Sequence, residues 1–224
     1  MTYNVGNGLA LPRRLAEVVR ASEADIVGLQ ELTADQEAGL RDELAEDYPY
    51  QLLHGAGIPG KGLLSRYPIL EGGQIHSHPG RPDLRATLDV RGYPLHVAVV
   101  HPAPPRLVAR GLQPSAHTRV QLERLISLLA HDLPLVLLGD FNMTRFQAQY
   151  RRVAAAGLVD AFLAAGRGFG RTFPLRLGRI PLLPLLRLDY IWLSSHLEAV
   201  SAHVGPDAGS DHLPVLADVR WLAC

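Results

Sequence analysis

The chain has 224 residues, enough for one sizeable domain or two small ones, and 47% of them are hydrophobic, so a large core can form. Lys and Arg total 22, as do Asp and Glu, so no overall charge indicates a nucleic acid or a membrane surface as partner. The one cysteine, Cys224, excludes an intrachain disulfide, and no apolar run reaches the ~18 residues of a membrane span.

The domain organisation and the compartment are predicted from whether the sequence contains linkers, repeats or a signal peptide. No linker, low-complexity tract or internal repeat divides it, which favours one domain over residues 1–224. No signal peptide opens the sequence as given, which predicts a cytoplasmic protein, and we expect a monomer. Residues 1–5 read as the second half of a truncated first strand. A natural N-terminal segment with an anchor or export signal would change the predicted compartment.

Apolar residues recur every three or four positions in predicted helices and every second position in half-buried strands. In chain order, the predicted helices are 12–24, 34–47 (with a capping signal at Thr33), 118–131 and 147–157. The predicted strands are 25–31, 50–54, 61–67, 85–90, 94–101, 133–141, 189–194 and 213–221. A turn at 91–94 predicts a hairpin, and residues 192–200 predict another. This pattern indicates an α+β arrangement, with two stacked sheets and helices outside them.

Polar side chains stand at the ends of the apolar strands. "PLVLLGDFN" (134–142) runs from five apolar residues into Asp140 and Asn142. Alone, this stretch favours an ordinary turn, because Gly, Asp and Asn are common turn residues. Other apolar strands also end with, or begin after, a polar residue. In an antiparallel sheet the end of one strand lies beside the start of its neighbour, so these polar residues can share one edge. Together they would place eight groups on one rim: Asn4, Glu31, His101, Asp140, Asn142, Asp189, Asp211 and His212.

These groups suit a hard cation and a phosphate. Carboxylate and amide oxygens are magnesium-type ligands, and soft ligands are missing from the set. An Asp can accept a proton from water, and a cationic His can stabilise charge on a phosphoryl oxygen. The combination predicts metal-assisted attack of water on a phosphate ester.

Seven ordered segments carry a family resemblance: "TYNV", "DIVGLQE", "GLLSRYPI", "VAVVHP", "LLGDFN", "RLDYIWLS" and "SDHLPV". They resemble the endonuclease/exonuclease/phosphatase superfamily, which has the DNase I-like fold. The resemblance covers nearly the whole chain. It implies a four-layer α/β/β/α sandwich with two mixed sheets, a site at one end of the sheets, and a Mg²⁺ or Mn²⁺ cofactor.

The resemblance also implies a role for each matching position. Glu31 matches the principal metal-binding glutamate and Asn4 the asparagine of the first strand, and both are expected to be metal ligands. Asp140 and Asn142 match the pair that activates and orients the attacking water. In the closing "SDH", Asp211 lies near the metal and His212 on the scissile phosphate, while Asp189 orients His212 and His101 contacts phosphate.

The chain departs from the family pattern at Gly6, where members often carry a second polar ligand, and Asn7 is the candidate substitute for it. The "GKGLLSRYPI" stretch also lacks the site tyrosine of DNA-repair members, unless Tyr67 takes that place, which weakens an abasic-site endonuclease reading. Arg85, which opens a strand, and Arg187 are the candidates for binding the substrate phosphate.

The substrate is predicted less sharply than the chemistry. Residues 166–190 contain five arginines interleaved with Leu, Ile, Phe and Pro, with no acid before Asp189. Arginine suits phosphate, and the apolar residues of 176–188 would suit peripheral contact with lipid. The alternative is that these leucines pack on the sheet and the arginines are solvated. A small or lipid-linked phosphate ester is therefore favoured. A magnesium-dependent nuclease acting on DNA or RNA and a non-catalytic phosphate-binding domain are the alternatives, and the number of metal ions stays open.

Overall fold

The structure is a computed structural model that describes residues 1–77, 80–108, 111–113, 116–128, 133–177 and 180–222. Cys224 and the end of the predicted helix 118–131 lie outside these residues. Within them, no helix is both long and apolar enough to cross a membrane.

The helices follow the predicted spacing, and two of them begin with a side-chain cap. They are α1 (Pro12–Ala21), α2 (Ala34–Glu43), α3 (Ala116–Leu128), α4 (Ala148–Ala155) and α5 (Ala161–Ala165). The capping signal at Thr33 is confirmed, since Thr33 and Gln36 exchange the two hydrogen bonds of a capping box. Helix α5 was not predicted; it has one turn and a half and is capped by the carboxylate of Asp160.

The strands form two six-stranded mixed sheets and two short ribbons. In chain order they are β1 (Thr2–Asn4), β2 (Ile26–Gln30), β3 (Tyr50–His54), β4 (Lys61–Ser65), β5 (Ile69–Ile75), β6 (Asp83–Val90), β7 (Tyr93–Val100), β8 (Arg106–Val108), β9 (Gly111–Gln113), β10 (Leu135–Asp140), β11 (Val159–Asp160), β12 (Arg176–Leu177), β13 (Ile180–Pro181), β14 (Asp189–Leu193), β15 (Leu197–Val204) and β16 (Val215–Trp221). The first sheet has the order β15-β16-β1-β2-β4-β3 and the second β11-β14-β10-β7-β6-β5.

Three apolar clusters divide the molecule into four layers. Helices α1 and α2 cover the outer face of the first sheet, for example through Leu15 and Leu40 against Leu29. The second cluster lies between the sheets, and the third packs α3 and α4 on the second sheet through residues such as Leu125 and Trp192. The predicted four-layer sandwich is confirmed.

One predicted hairpin is confirmed and one is wrong. β6 and β7 pair across a turn at Arg91 and Gly92, both with positive φ. Residues 192–200, however, do not form a hairpin. β14 pairs with β10 and β11 in the second sheet, whereas β15 pairs with β16 in the first. The chain therefore crosses between sheets at residues 194–196, which short-range turn chemistry does not reveal.

The topology brings the polar strand ends to one edge. β1 runs parallel to β2, and β7 runs parallel to β10, so each pair ends at the same edge of its sheet. β14 is antiparallel to β10 and starts where β10 ends, with Asp189 directly opposite Asp140. The two sheets thus present their polar ends at one end of the sandwich.

Candidate active site

Asp140 lies at the centre of the rim, at the end of β10 and almost fully buried. Its Oδ1 accepts a hydrogen bond from the backbone N–H of Asn142 at 2.8 Å, and its Oδ2 accepts one from Nδ2 of Asn4 at 3.0 Å. Burial raises the pKa of the Asp140 carboxyl against the opposing effect of the nearby His212 charge. The carboxylate is therefore fixed in place and is a better proton acceptor than an exposed aspartate.

Glu31 follows β2 and faces the same space. Its backbone has a φ of 59°, and its carbonyl accepts the N–H of Asn7 at 3.1 Å, which turns the side chain toward the rim. Burial raises the pKa of the Glu31 carboxyl, a hydrogen bond from Asn4 opposes this, and the charges of Asp140 and Asp211 add to the increase. Carboxylates that repel one another in this way are typical of a cation site.

Asn4 ties the two carboxylates together. Its NH₂ group bonds Asp140 and also stabilises charged Glu31, while its Oδ1 accepts the N–H of Gly6 at 3.0 Å. The amide oxygen predicted to bind metal is thus already engaged by the backbone. Asn4 therefore orients the carboxylates in this arrangement, and its amide oxygen keeps a second lone pair for the predicted ligand role.

Gly6 departs from the family pattern because this position has no room for a side chain. Its φ is +70°, and a Cβ there would lie 2.9 Å from Oγ of Ser210 and 3.1 Å from Oδ1 of Asp211. Asp211 occupies the space that a second ligand at position 6 would need. Ser210 also donates from Oγ to the carbonyl of Asn4 at 2.7 Å, which anchors the "SDH" segment to β1.

His212 is held as a cation by two buried carboxylates. Its Nδ1 lies 2.9 Å from Oδ2 of Asp189, and its Nε2 lies 3.7 Å from Oδ2 of Asp140. Burial alone would lower the pKa of His212, but the charges of Asp189 and Asp140 outweigh it and raise the pKa to about 10. The predicted pairing of Asp189 with His212 is thus present, with Nε2 left facing the site.

His101 is neutral where His212 is charged. Burial lowers the pKa of His101 to about 4, although Asp140 partly opposes the shift. Its Nδ1 lies 3.4 Å from the carbonyl of Ile58, a contact that needs a proton on Nδ1. Nε2 is then unprotonated and is a hydrogen-bond acceptor. It lies 3.6 Å from two other acceptors, Oε1 of Glu31 and Oδ2 of Asp140. A cation or a donor from substrate or water would satisfy this arrangement.

A buried polar network lies behind His101, and sequence reasoning did not find it. The carboxylate of Asp83 accepts the backbone N–H of His101 at 3.2 Å, Nε2 of Gln121 at 3.1 Å and the hydroxyl of Ser77. Nζ of Lys61 lies 3.8 Å from the same carboxylate. Asp83 opens a strand, as Asp189 does, which was its available signal.

Asn142 and Asn7 interact with the other site residues mainly through their backbone N–H groups, which bond Asp140 and Glu31 respectively. Nδ2 of Asn142 donates to the carbonyl of Pro102 at 3.0 Å, while its N–H holds Asp140. Asn7 is exposed, and its Oδ1 lies over Gly57, since a Cβ there would lie only 2.9 Å away. The structure does not bring the Asn7 side chain to the carboxylates, so it departs from the predicted ligand role.

Neither arginine predicted to bind substrate is brought to the rim. Arg85 is exposed within β6, opposite Gly73 and Ala98. Arg187 is buried in a bidentate ion pair with Asp160, at 3.0 and 2.6 Å, so its guanidinium is already occupied. The position of Arg187 close to Asp189 in the sequence suggested that it binds substrate, but its side chain pairs with Asp160, the residue that caps α5.

Phe173 is a site neighbour that the pattern of polar residues at strand ends does not predict. Its ring centroid lies 4.6 Å from that of His212, so it covers one face of the imidazole. Residues 172–175 are attached to the "SDH" segment by two backbone hydrogen bonds, from Leu213 N to Thr172 O at 2.9 Å and from Leu175 N to Asp211 O at 2.7 Å. The contact between Phe173 and His212 therefore depends on tertiary hydrogen bonds between segments that are distant in sequence.

The donor set fits a divalent cation on chemical grounds. Within the described residues, no Lys or Arg forms an ion pair with Glu31, Asp140 or Asp211. Ligand atoms of Asp140, Asp189 and His212 also lie within 4.8 Å of one another. We favour Glu31 and Asp211 over that trio, because a cationic His212 bonded to Asp189 offers no lone pair to a metal.

Comparison with known proteins identifies the family that the seven sequence segments resemble. The sequence model of the Endonuclease/Exonuclease/phosphatase family matches residues 1–212. Uncharacterized protein YbhP of Escherichia coli (strain K12) is 29% identical over 255 residues, covering 98% of this chain and 95% of that protein.

Solved structures share the fold. An endonuclease/exonuclease/phosphatase from Beutenbergia cavernae DSM 12333 has a TM-score of 0.79 and 25% identity, covering 98% of this chain and 70% of that chain. D. rerio TDP2, complexed with single strand DNA product, has a TM-score of 0.77 and 19% identity, covering 98% and 97%. Members of the family are phosphoric ester hydrolases and are generally dependent on divalent metal ions. The chain belongs to the endonuclease/exonuclease/phosphatase family and is a phosphoric ester hydrolase.

Proposed function

We propose that this chain hydrolyses a phosphate ester with a water molecule activated by Asp140. One observation carries the proposal: a buried carboxylate, Asp140, faces the Nε2 of a cationic histidine, His212, at 3.7 Å. The pair can take a proton from a nucleophile and stabilise negative charge on the group attacked.

The reaction follows from the positions of these two groups. A water oxygen attacks phosphorus in line with the leaving oxygen, and its proton passes to Asp140, whose pKa burial has raised. The P–O bond to the leaving group breaks, and that group departs with the electron pair. Asn4 and the N–H of Asn142 hold Asp140 in one orientation while this happens.

His212 supports the same step. Asp189 holds its Nδ1, so Nε2–H is the donor that remains for a phosphoryl oxygen. Because Asp189 and Asp140 raise its pKa to about 10, His212 is charged over the neutral range. In the proposal the unprotonated Nε2 of His101 accepts a hydrogen bond from water or from a substrate hydroxyl, since the predicted phosphate contact would need a proton on Nε2.

Glu31 and Asp211 would hold the metal ion, with Mg²⁺ or Mn²⁺ as the candidates because their ligands are oxygens. When bound, the ion would polarise the phosphoryl oxygens and neutralise developing charge. Asn4 places the Glu31 carboxylate beside Asp140, and Ser210 places Asp211 beside Asn4.

A small or lipid-linked phosphate ester is the substrate class we favour. The exposure of the leucines close to the site in sequence supports this choice over the alternative in which they pack on the sheet: Leu183 and Leu185 are 84% and 64% exposed, and Leu182 and Leu186 are 37% and 40% exposed. An apolar surface beside a phosphate site suits an ester that carries an apolar group.

A nuclease is the second candidate, and one observation favours it. Phe146 and Phe169 are 76% and 80% exposed, and the guanidiniums of Arg145 and Arg171 lie 4.9 and 4.6 Å from their ring centroids. Exposed aromatic rings beside arginines are suitable platforms for unstacked bases.

A substrate panel decides between the two. Purified protein with Mg²⁺ or Mn²⁺ is assayed on plasmid DNA, oligonucleotides, phospholipids and bis(4-nitrophenyl) phosphate, with Asp140→Asn measured in parallel. We expect turnover of the small or lipid substrate that Asp140→Asn abolishes. Nicking of plasmid at a far higher rate, with steep salt dependence, would support the nuclease instead. No Asp140-dependent turnover of any substrate would contradict the proposal.

A further inference from the structure

Residues 171–177 and 180–187, here called the arm, extend from the sandwich beside the candidate site and carry exposed apolar side chains. Those of Leu183, Leu185 and Ile180 are 84%, 64% and 62% exposed, and Leu182 and Leu186 are exposed as well. Single exposed leucines are ordinary, but five large apolar residues within seven positions make a concentrated apolar surface.

Backbone hydrogen bonds hold the arm in this shape. The N–H groups of Thr172 and Phe173 donate to the carbonyl of Leu186 at 2.7 and 3.0 Å, and Leu185 N donates to Phe173 O at 2.9 Å. Farther out, Leu182 N donates to Leu175 O at 2.7 Å, and β12 pairs with β13. The arm is a narrow two-stranded ribbon although it contains Pro181 and Pro184. Proline has no backbone N–H to donate and is tolerated in edge strands such as β13.

The inner strand of the arm borders the site. Phe173 lies against His212, and Leu175 N bonds the carbonyl of Asp211. A surface that meets the arm would therefore lie next to the proposed phosphate position.

Two exposed arginines lie in the segment that carries the arm. Residues 161–188 contain five arginines and no Asp or Glu, although the whole chain is balanced at 22 of each sign. Arg176 pairs with Asp207 and Arg187 with Asp160, whereas Arg167 and Arg171 are exposed. Arg171 is exposed, and its guanidinium lies over the ring of exposed Phe169. Cations combined with apolar residues are typical of surfaces that bind anionic bilayers. A second copy of the chain would bring like charges together, and a nucleic acid would leave the leucines unpartnered.

We propose that the arm docks on an anionic phospholipid bilayer, with its leucines at the boundary between headgroups and acyl chains and Arg171 at the phosphates. Docking in this way presents the site to phosphate esters at the membrane surface, a consequence that rests on the proposed function.

The test is flotation of the full chain with vesicles of phosphatidylglycerol and phosphatidylcholine, and with vesicles of phosphatidylcholine alone. The wild type should float with the anionic vesicles and much less with the neutral ones. Leu183→Ser combined with Leu185→Ser should lower the bound fraction by at least ~10-fold, because both side chains would lose an apolar environment. These two residues are the most exposed leucines of the arm, so the variant should fold.

Two controls separate docking from general effects. Leu11→Ser combined with Leu70→Ser changes leucines of other elements, at the start of α1 and in β5, that are 68% and 61% exposed, and should bind vesicles like the wild type. Arg171→Gln should weaken binding to anionic vesicles and leave the residual binding to neutral vesicles unchanged.

The remaining outcomes are unambiguous. Equal flotation of wild type and arm variant would overturn the proposal, as would no flotation of the wild type. A melting temperature of the arm variant that falls together with its bis(4-nitrophenyl) phosphate rate would show that the leucines only support the fold. A dimer that the arm variant alone loses would assign the surface to a second copy. Flotation without Asp140-dependent hydrolysis would leave docking standing and contradict the proposed function alone.

Discussion

The two groups proposed to act on the transition state are Asp140 and His212, and they face each other across 3.7 Å. We expect Asp140→Asn and His212→Ala each to lower kcat by at least ~10²-fold, because one removes the proton acceptor and the other the donor to the phosphoryl oxygen. The double variant should lose less than the product of the two effects, since both serve one step.

The measurement is kcat on the best substrate, with circular dichroism to confirm folding. A near-normal kcat in either single variant would remove that residue from the mechanism.

Glu31 should control metal affinity. Glu31→Gln removes a ligand charge, so the dissociation constant for Mg²⁺ should rise by at least ~10-fold in calorimetric titration. Because burial and neighbouring acids raise the pKa of Glu31, the variant in chelator should melt no lower than the wild type. Glu17→Gln, on the exposed side of α1, is the matched control. Unchanged Mg²⁺ affinity would place the metal elsewhere.

The charge on His212 also links stability to pH. Its pKa is about 10 in the folded protein, above the ordinary value of 6.5, so its charged form stabilises the fold fully below pH 6.5. That contribution is lost as pH rises through 10. In chelator, the difference in unfolding free energy between wild type and His212→Gln should therefore be largest at pH 6 and shrink by pH 10. Urea titrations at both pH values measure it, and a constant difference would show that His212 is not held as a cation.

Residue-level prediction from sequence succeeded where a polar group ends or begins an apolar strand. Glu31, His101, Asp140, Asp189 and His212 are brought together as expected. The remaining details depend on three-dimensional crowding that sequence does not display. Gly6 is small because Asp211 and Ser210 fill its space, and the Asn7 side chain lies over Gly57 instead of facing the carboxylates.

At the level of elements, Arg187 and Asp160 join α5 to β14. Asp160 caps α5 and accepts both the Tyr150 hydroxyl and the Arg187 guanidinium. Arg187→Met keeps most of the volume but leaves a buried carboxylate uncompensated, which should lower the unfolding free energy by about 3–5 kcal/mol.

Arg167→Met, at an exposed arginine of the same segment, should change stability by less than ~0.5 kcal/mol. Urea unfolding of both variants, with kinetics on the best substrate, tests this. If Arg187→Met melts normally but shows a raised KM, the substrate role predicted from sequence is right and the structural role is wrong.

Element boundaries were predictable because apolar spacing and capping act locally. Thr33 begins α2 through bonds to Gln36, three residues away. The pairing of strands was harder, since β14 and β15 look like a hairpin in sequence yet belong to different sheets. Their partners lie in β10 and β16, and only the packing of the two sheets selects them.

At the scale of the whole molecule, the sandwich gathers groups from six separate segments at one end. Parallel pairing of β1 with β2 and of β7 with β10, with β14 antiparallel, is what places strand ends and starts together. The resemblance of seven ordered segments was sufficient to predict this architecture. The substrate was not predictable in the same way, because it depends on the arm and other loops, whose conformation is set by tertiary contacts such as that between Phe173 and His212.

The measurement that tests the central claim most directly is the initial rate on bis(4-nitrophenyl) phosphate after chelator treatment, as Mg²⁺ or Mn²⁺ is added back to wild type and Asp140→Asn. The account predicts no turnover by the stripped wild type, a saturable return of activity with added metal, and at least ~10²-fold less activity in the variant at every metal concentration. Full activity of the wild type with its metal content shown to be negligible, or equal recovery of the variant, would contradict it.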